Sequence, residues 1–113
     1  MEITVKRILG ALALILLAAP AGAQTMSGPG KVTLLRTGWN ADSFAIETST
    51  QFINPASCAT PDGYISTKPA PGYETYYDTA KLAFQTNTNV VVVVDNTACV
   101  SGRPKLIGIN LTH

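Results

Sequence analysis

The one histidine of this 113-residue chain, His113, is its last residue, and the two cysteines are Cys58 and Cys99. A Ser-His-Asp or Cys-His relay needs a histidine held on both sides by neighbours, and a terminal residue has too few of them. One histidine and two cysteines also fall short of an ordinary zinc set, and their separation is far from the CxxC spacing of redox centres. The carboxylates Asp42, Glu47, Asp62, Glu74, Asp78 and Asp95 could in principle supply a glycosidase pair. However, Asp62 and Asp95 sit in turn signals, and Glu74 opens a helical stretch where its charge suits the helix dipole. The segments PGK at 29–31 and SGRPK at 101–105 lack the spacing of a phosphate loop. The reading is therefore of a chain with no catalytic residue, no metal set and no cofactor, whose function is binding. Its candidate ligand contacts are Trp39 and Asn40 in the polar turn TGWNAD, and Asn96 and Arg103 in DNTACVSGRP. A tryptophan in such a turn is either a lid over the core or a platform for a ligand ring.

The N-terminus says where such a protein works. Lys6 and Arg7 precede an apolar run from Ile8 to Ala19, followed by Pro20 and the small residues Ala21, Gly22 and Ala23. That order predicts a signal peptide over residues 1–23, cut after Ala23. The apolar run is about twelve residues, short of the roughly 20 that span a bilayer, so no stable membrane insertion is expected after cleavage. The product, residues 24–113, is read as a single domain that is periplasmic or secreted. Its basic residues Lys31, Arg36, Lys68, Lys81, Arg103 and Lys105 balance its six acidic ones, so nucleic acid is not an expected partner. In an oxidising compartment the two cysteines pair, which closes a loop of about forty residues.

The elements that must position these residues follow from periodicity. Gln24 to Gly30 reads as a flexible lead-in, and regular structure is expected from Lys31. KVTLLRTGW, with Val32 and Leu34 on one face, and SFAIETST, with Phe44, Ile46 and Thr48 on one face, form a hairpin across TGWNAD. A breaker-rich loop holds Cys58, and GYISTK at 63–68 is a third, short strand. From Tyr73 to Asn87 the spacing is helical, with Asn87 suited to a left-handed terminus. The buried stripe is either Tyr73, Tyr76, Tyr77, Ala80 and Phe84, or one through Tyr76, Leu82 and Ala83. Five valines, Val90 to Val94, make a strand covered on both faces. Asp95 to Pro104 is then the return loop, and KLIGINLT is the last strand, with a bulge expected at Gly108. A mainly β chain of five strands, with one helix between the third and fourth and one disulfide, has the order of an OB-fold barrel. An open α+β sheet with the helix on one face is the alternative.

Several of these stretches carry a resemblance. GKVTLL at 30–35, NPASC at 54–58 before DGY, a helix ending LAFQTNTNVVVVV at 82–94, then Cys99, GRPK and IGINL, resemble small secreted bacterial proteins related to the B subunit of subtilase cytotoxin and pertussis-like toxins. The resemblance implies an OB-fold, a bridge between Cys58 and Cys99 and, in the toxin branch, pentamers that bind sialylated glycans. Pro29-Gly30 stands near where that branch has a serine. The expected function is a secreted, non-catalytic binding module with glycan as ligand class and a second copy of itself as a further partner. The alternative is a small periplasmic structural or inhibitory protein that binds another protein through a strand edge or the valine strand.

Overall fold

The computed structural model describes residues 23–38 and 41–113. Residues 1–22, which hold most of the expected signal segment, and Trp39 and Asn40 lie outside them. The described chain is mainly β: strands β1 (Gln24–Met26), β2 (Gly30–Thr37), β3 (Ser43–Thr48) and β4 (Tyr64–Thr67), helix α1 (Tyr73–Thr86), then β5 (Asn89–Val100) and β6 (Arg103–Thr112). Antiparallel pairings join β5 to β2, β2 to β3 and β3 to β4, and a parallel contact at Ile65 and Lys105 joins β4 to β6. Because β6 also pairs antiparallel with β5, these five strands close into a ring. The helix lies between the third and fourth strands of the ring, where the periodicity puts it. No helix among the described residues is long and apolar enough to cross a membrane.

The core explains the closure. Val90, Val92 and Val94 are fully buried and share it with Phe44, Ile46, Tyr64 and Leu106. Burying each large side chain of this kind stabilises the fold by roughly 1.5–3 kcal/mol. Val93, on the opposite face of β5, is buried too but Val91 is half-buried, so the outer face of the valine run is only partly covered, less than the unbroken run suggests. There Gly108 lets β6 approach closely: a Cβ on it would stand 3.4 Å from the Val93 side chain. The ladder shifts beside that glycine, at Ile107.

The helix buries Ala80 and Ala83 and packs Tyr73, Tyr76 and Tyr77 against the core, while Leu82 and Phe84 stay 50% and 48% exposed. Neither expected stripe is fully right: the contact uses the two small alanines, which let the helix lie close to the strands. Asn87 takes the left-handed terminus expected of it, at φ 55°.

Three expectations need correcting. The lead-in is not irregular: Gln24–Met26 pairs with Val93–Asp95 as a sixth strand, and Ser27 anchors it through its N–H to the Val92 carbonyl at 2.9 Å and its Oγ to the Val92 N–H at 3.0 Å. In β2 the face changes at Thr33, because an irregularity between Val32 and Leu34 shifts the register and turns Leu35 inward and Leu34 out. Nor is Asp95–Pro104 a loop. β5 runs on to Val100, and Ser101 and Gly102, both at positive φ, make a two-residue hairpin turn into Arg103. The Asp95 side chain accepts hydrogen bonds from the N–H groups of Thr97 and Ala98 at 2.8 and 2.9 Å, so residues that read as turn formers are taken up inside the strand. The register shift between Val94 and Cys99 falls at this point.

Cys58 and Cys99 are bonded, tying the loop after β3 to this hairpin. The loop is further pinned where the Thr60 N–H donates to the Gly102 carbonyl at 2.7 Å, and where Asn54 holds both backbone groups of Cys58. On the chain-entropy account, Cys99→Ser lowers unfolding stability by about 2–5 kcal/mol. Thermal unfolding with and without reductant tests this, and equal midpoints contradict it.

Candidate functional site

Alternation in β3 sends Phe44 and Ile46 into the core and leaves Ser43, Ala45 and Glu47 on the outer face. Cross-strand pairing then sets a row on that face: Arg36 opposite Ala45, Ala45 opposite Ile65, and Ile65 opposite Lys105. Although they point away from the core, Ala45 and Ile65 are only 6% and 5% exposed. They line a cavity of about 220 Å³ whose other walls are Arg36, Arg103 and the strand ends Thr37–Gly38 and Ser43.

Two arginines reach this cavity from different elements and meet at one carboxylate. Arg103 opens β6 just after the hairpin turn, and its Nε and Nη2 donate to the two oxygens of Asp62, the second at 3.4 Å. Its Nη1 donates to the Ser101 carbonyl at 3.1 Å, so the turn aims the side chain. Arg36 comes across from β2, and its Nη2 donates to the Asp62 carbonyl at 2.7 Å and lies 3.5 Å from Oδ1. Gly63 makes room for it. At φ +147°, a Cβ there would stand 3.0 Å from Arg36 Nη2 and 3.2 Å from the Ile46 carbonyl. The Arg103 hydrogen bond, with the charges of both arginines, holds the Asp62 carboxyl below the usual 3.8 despite the opposing effect of desolvation.

The mouth of the cavity is the base of the β2–β3 turn. The Gly38 N–H donates to the Ser43 carbonyl at 3.0 Å, and the Ser43 hydroxyl donates to the Gly38 carbonyl at 2.8 Å. Of the four residues proposed from sequence as ligand contacts, Arg103 lines the cavity, and Trp39 and Asn40 lie outside the described residues. Asn96 is elsewhere. Its side-chain oxygen accepts a hydrogen bond from the Thr25 hydroxyl and its N–H donates to the Ala23 carbonyl at 3.0 Å, so it clasps β1 to β5. Sequence reasoning missed Arg36 and the role of Asp62. The Asp-Gly pair before β4 was the signal for the second; Arg36 had none, because the alternation of Val32 and Leu34 puts it on the core face and only the register shift at Thr33 turns it outward.

Two guanidinium groups, one serine hydroxyl and an apolar floor suit a ligand with an acidic or hydroxyl-bearing group on a partly apolar body. Among the described residues, no three metal-ligating side chains converge. Asp42 and Glu74 both pair with Lys68, at 3.7 and 3.5 Å. No protein-family model matches this chain, and no curated protein matches it.

The lowered pKa of Asp62 has a definite sign for stability. A carboxyl whose folded-state pKa lies below its unfolded value adds stability above the unfolded value, and that contribution is lost as pH falls through the folded one. Urea unfolding midpoints of the protein should therefore fall as pH drops below about 4, and fall less in Asp62→Asn, which has no such charge to lose. Parallel pH profiles for the two proteins contradict the assignment.

Proposed function

We propose that this protein is a non-catalytic binding module, exported to the periplasm or beyond, that takes a glycan on the outer face of an OB-fold. The cavity between Arg36 and Arg103 carries this reading, because it lies across the outer faces of ring strands β2, β3 and β4 beside the β2–β3 turn. In OB-folds that face and the loops flanking it bind oligosaccharides and oligonucleotides. Neutral overall charge in residues 24–113 favours the sugar over the nucleic acid. Support for the fold comes from the strand order of the ring, its one parallel contact between β4 and β6, and the helix before β5.

Export is supported by the bonded cysteines, since such bridges persist in oxidising compartments, and by the signal pattern in the first 23 residues. The resemblance to toxin B subunits adds the specific ligand class, sialylated glycans, and self-association. A carboxylated sugar would share with Asp62 the guanidinium groups of Arg36 and Arg103, whose charge-assisted hydrogen bonds suit carboxylate oxygens.

The exported protein is expected to bind sialyllactose in a calorimetric titration. Arg36→Gln should weaken that binding about tenfold or more, as expected from a charge-assisted hydrogen bond worth roughly 1.5 kcal/mol or more. Its melting temperature should remain close to that of the parent. Failure to bind any sugar on a glycan array, or unaltered binding by Arg36→Gln, contradicts the proposal.

A further inference from the structure

The expected cut after Ala23 makes Gln24 the first residue of the exported chain, and Gln24 is also the first residue of β1. We infer that Gln24 is a modification site: its α-amine closes on its own side-chain amide, so that the exported protein begins with a pyroglutamate ring. The inference rests on the export reading above and adds to it the chemical form of the N-terminus.

The register between β1 and β5 keeps the reacting nitrogen out of the sheet. The Asn96 N–H donates to the Ala23 carbonyl at 3.0 Å and the Ser27 N–H to the Val92 carbonyl at 2.9 Å, so positions 23 and 27 turn their backbone groups toward β5. Hydrogen-bonded and non-hydrogen-bonded pairs alternate along an antiparallel ladder. Gln24, opposite Asp95, therefore belongs to a non-hydrogen-bonded pair, and its nitrogen points away from β5. Cutting the bond to Ala23 turns that nitrogen into an amine with no part in the β1–β5 ladder.

The surroundings accept a ring. Gln24 is exposed, so no packed side chain has to move for the ring to close. The lactam fixes rotation about the N–Cα bond as proline does, and proline is accepted at the first residue of a strand, where no ladder N–H is required. The rest of β1 stays in place after the Ala23 carbonyl has left with the signal segment. Ser27 Oγ accepts from the Val92 N–H at 3.0 Å, and the Thr25 hydroxyl donates to the side-chain oxygen of Asn96.

The reaction needs only the residue itself. An α-amine titrates at roughly 7.7–8.0, so about a tenth of it is neutral at pH 7 and carries a lone pair. That pair attacks Cδ of the Gln24 amide: an N–Cδ bond forms, the bond from Cδ to the amide nitrogen breaks, and this nitrogen leaves as ammonia with a proton given up by the attacking amine. One amide replaces another, and holding both groups on one residue makes the step intramolecular. The product end has lost its positive charge and offers no free amine to an aminopeptidase.

Intact mass spectrometry of the freshly isolated exported protein, combined with selective labelling of its α-amine, tests the inference. The parent should weigh one ammonia less than the bridged chain 24–113 and take no α-amine label. Gln24→Asn, whose shorter side chain could close only a strained ring one atom smaller, should keep its full mass and take the label. A parent chain that starts at Gln24 with full mass and a labelled amine overturns the inference while leaving the cut in place. So does an equal loss of ammonia in Gln24→Asn, which would place the loss at another residue. A chain that starts elsewhere overturns the expected cut and the inference together.

Discussion

The contact between Asp62 and Arg103 is the constraint on which the outer face depends, because it joins two segments forty-one positions apart beside the cavity that Arg103 lines. Exposed ion pairs usually add little to stability, since they order two long side chains in a screening solvent. This one differs in that the Arg103 side chain is only 10% exposed and meets both carboxylate oxygens. Its partner loop is already held by the Cys58–Cys99 bond and by Thr60 on Gly102. The division of labour follows from magnitude. Closing a loop of about forty residues is worth roughly 4 kcal/mol, far more than an exposed pair, so the bridge supplies stability and the ion pair supplies direction.

Direction matters because the floor of the first cavity is apolar. Ala45 and Ile65 sit on the outer side of the sheet, where bare aliphatic side chains would leave a sticky patch on a mainly β protein. The stems of Arg36 and Arg103 shield them while the guanidinium groups remain hydrogen-bonded, the usual way in which long cationic side chains cover apolar surface. Behind the same strands, the valines of β5 and the aromatic rings of β3 and β4 form the core. One thickness of sheet therefore separates a dry interior from a polar outer face, and Phe52 packs on that interior through its stacking on Tyr64.

Much of this was legible in the sequence where a single periodic signal ruled. The helix from Tyr73 with its Asn87 terminus, the β2–β3 hairpin, the short strand at Tyr64, the buried valines and the paired cysteines all answer to local patterns. Reading failed where long-range pairing overruled local chemistry. Gln24–Met26 has no strand pattern of its own and becomes a strand because β5 offers it an edge. Asp95 and Asn96 look like turn formers, yet one is absorbed in a register shift and the other clasps β1. The site was half legible. Arg103 was singled out because it lies in DNTACVSGRP, the expected link between the last two strands, whereas Arg36 and Asp62 are ordinary polar residues until the ring brings them within hydrogen-bonding distance of one another.

The central claim is that Asp62 and Arg103 act as one unit in shaping this face. A double-mutant cycle combining Asp62→Asn with Arg103→Gln, read out as urea unfolding midpoints at neutral pH, measures that coupling directly. The account predicts that the double variant is no less stable than the weaker single variant, since either change already breaks the contact. Losses that simply add would contradict it.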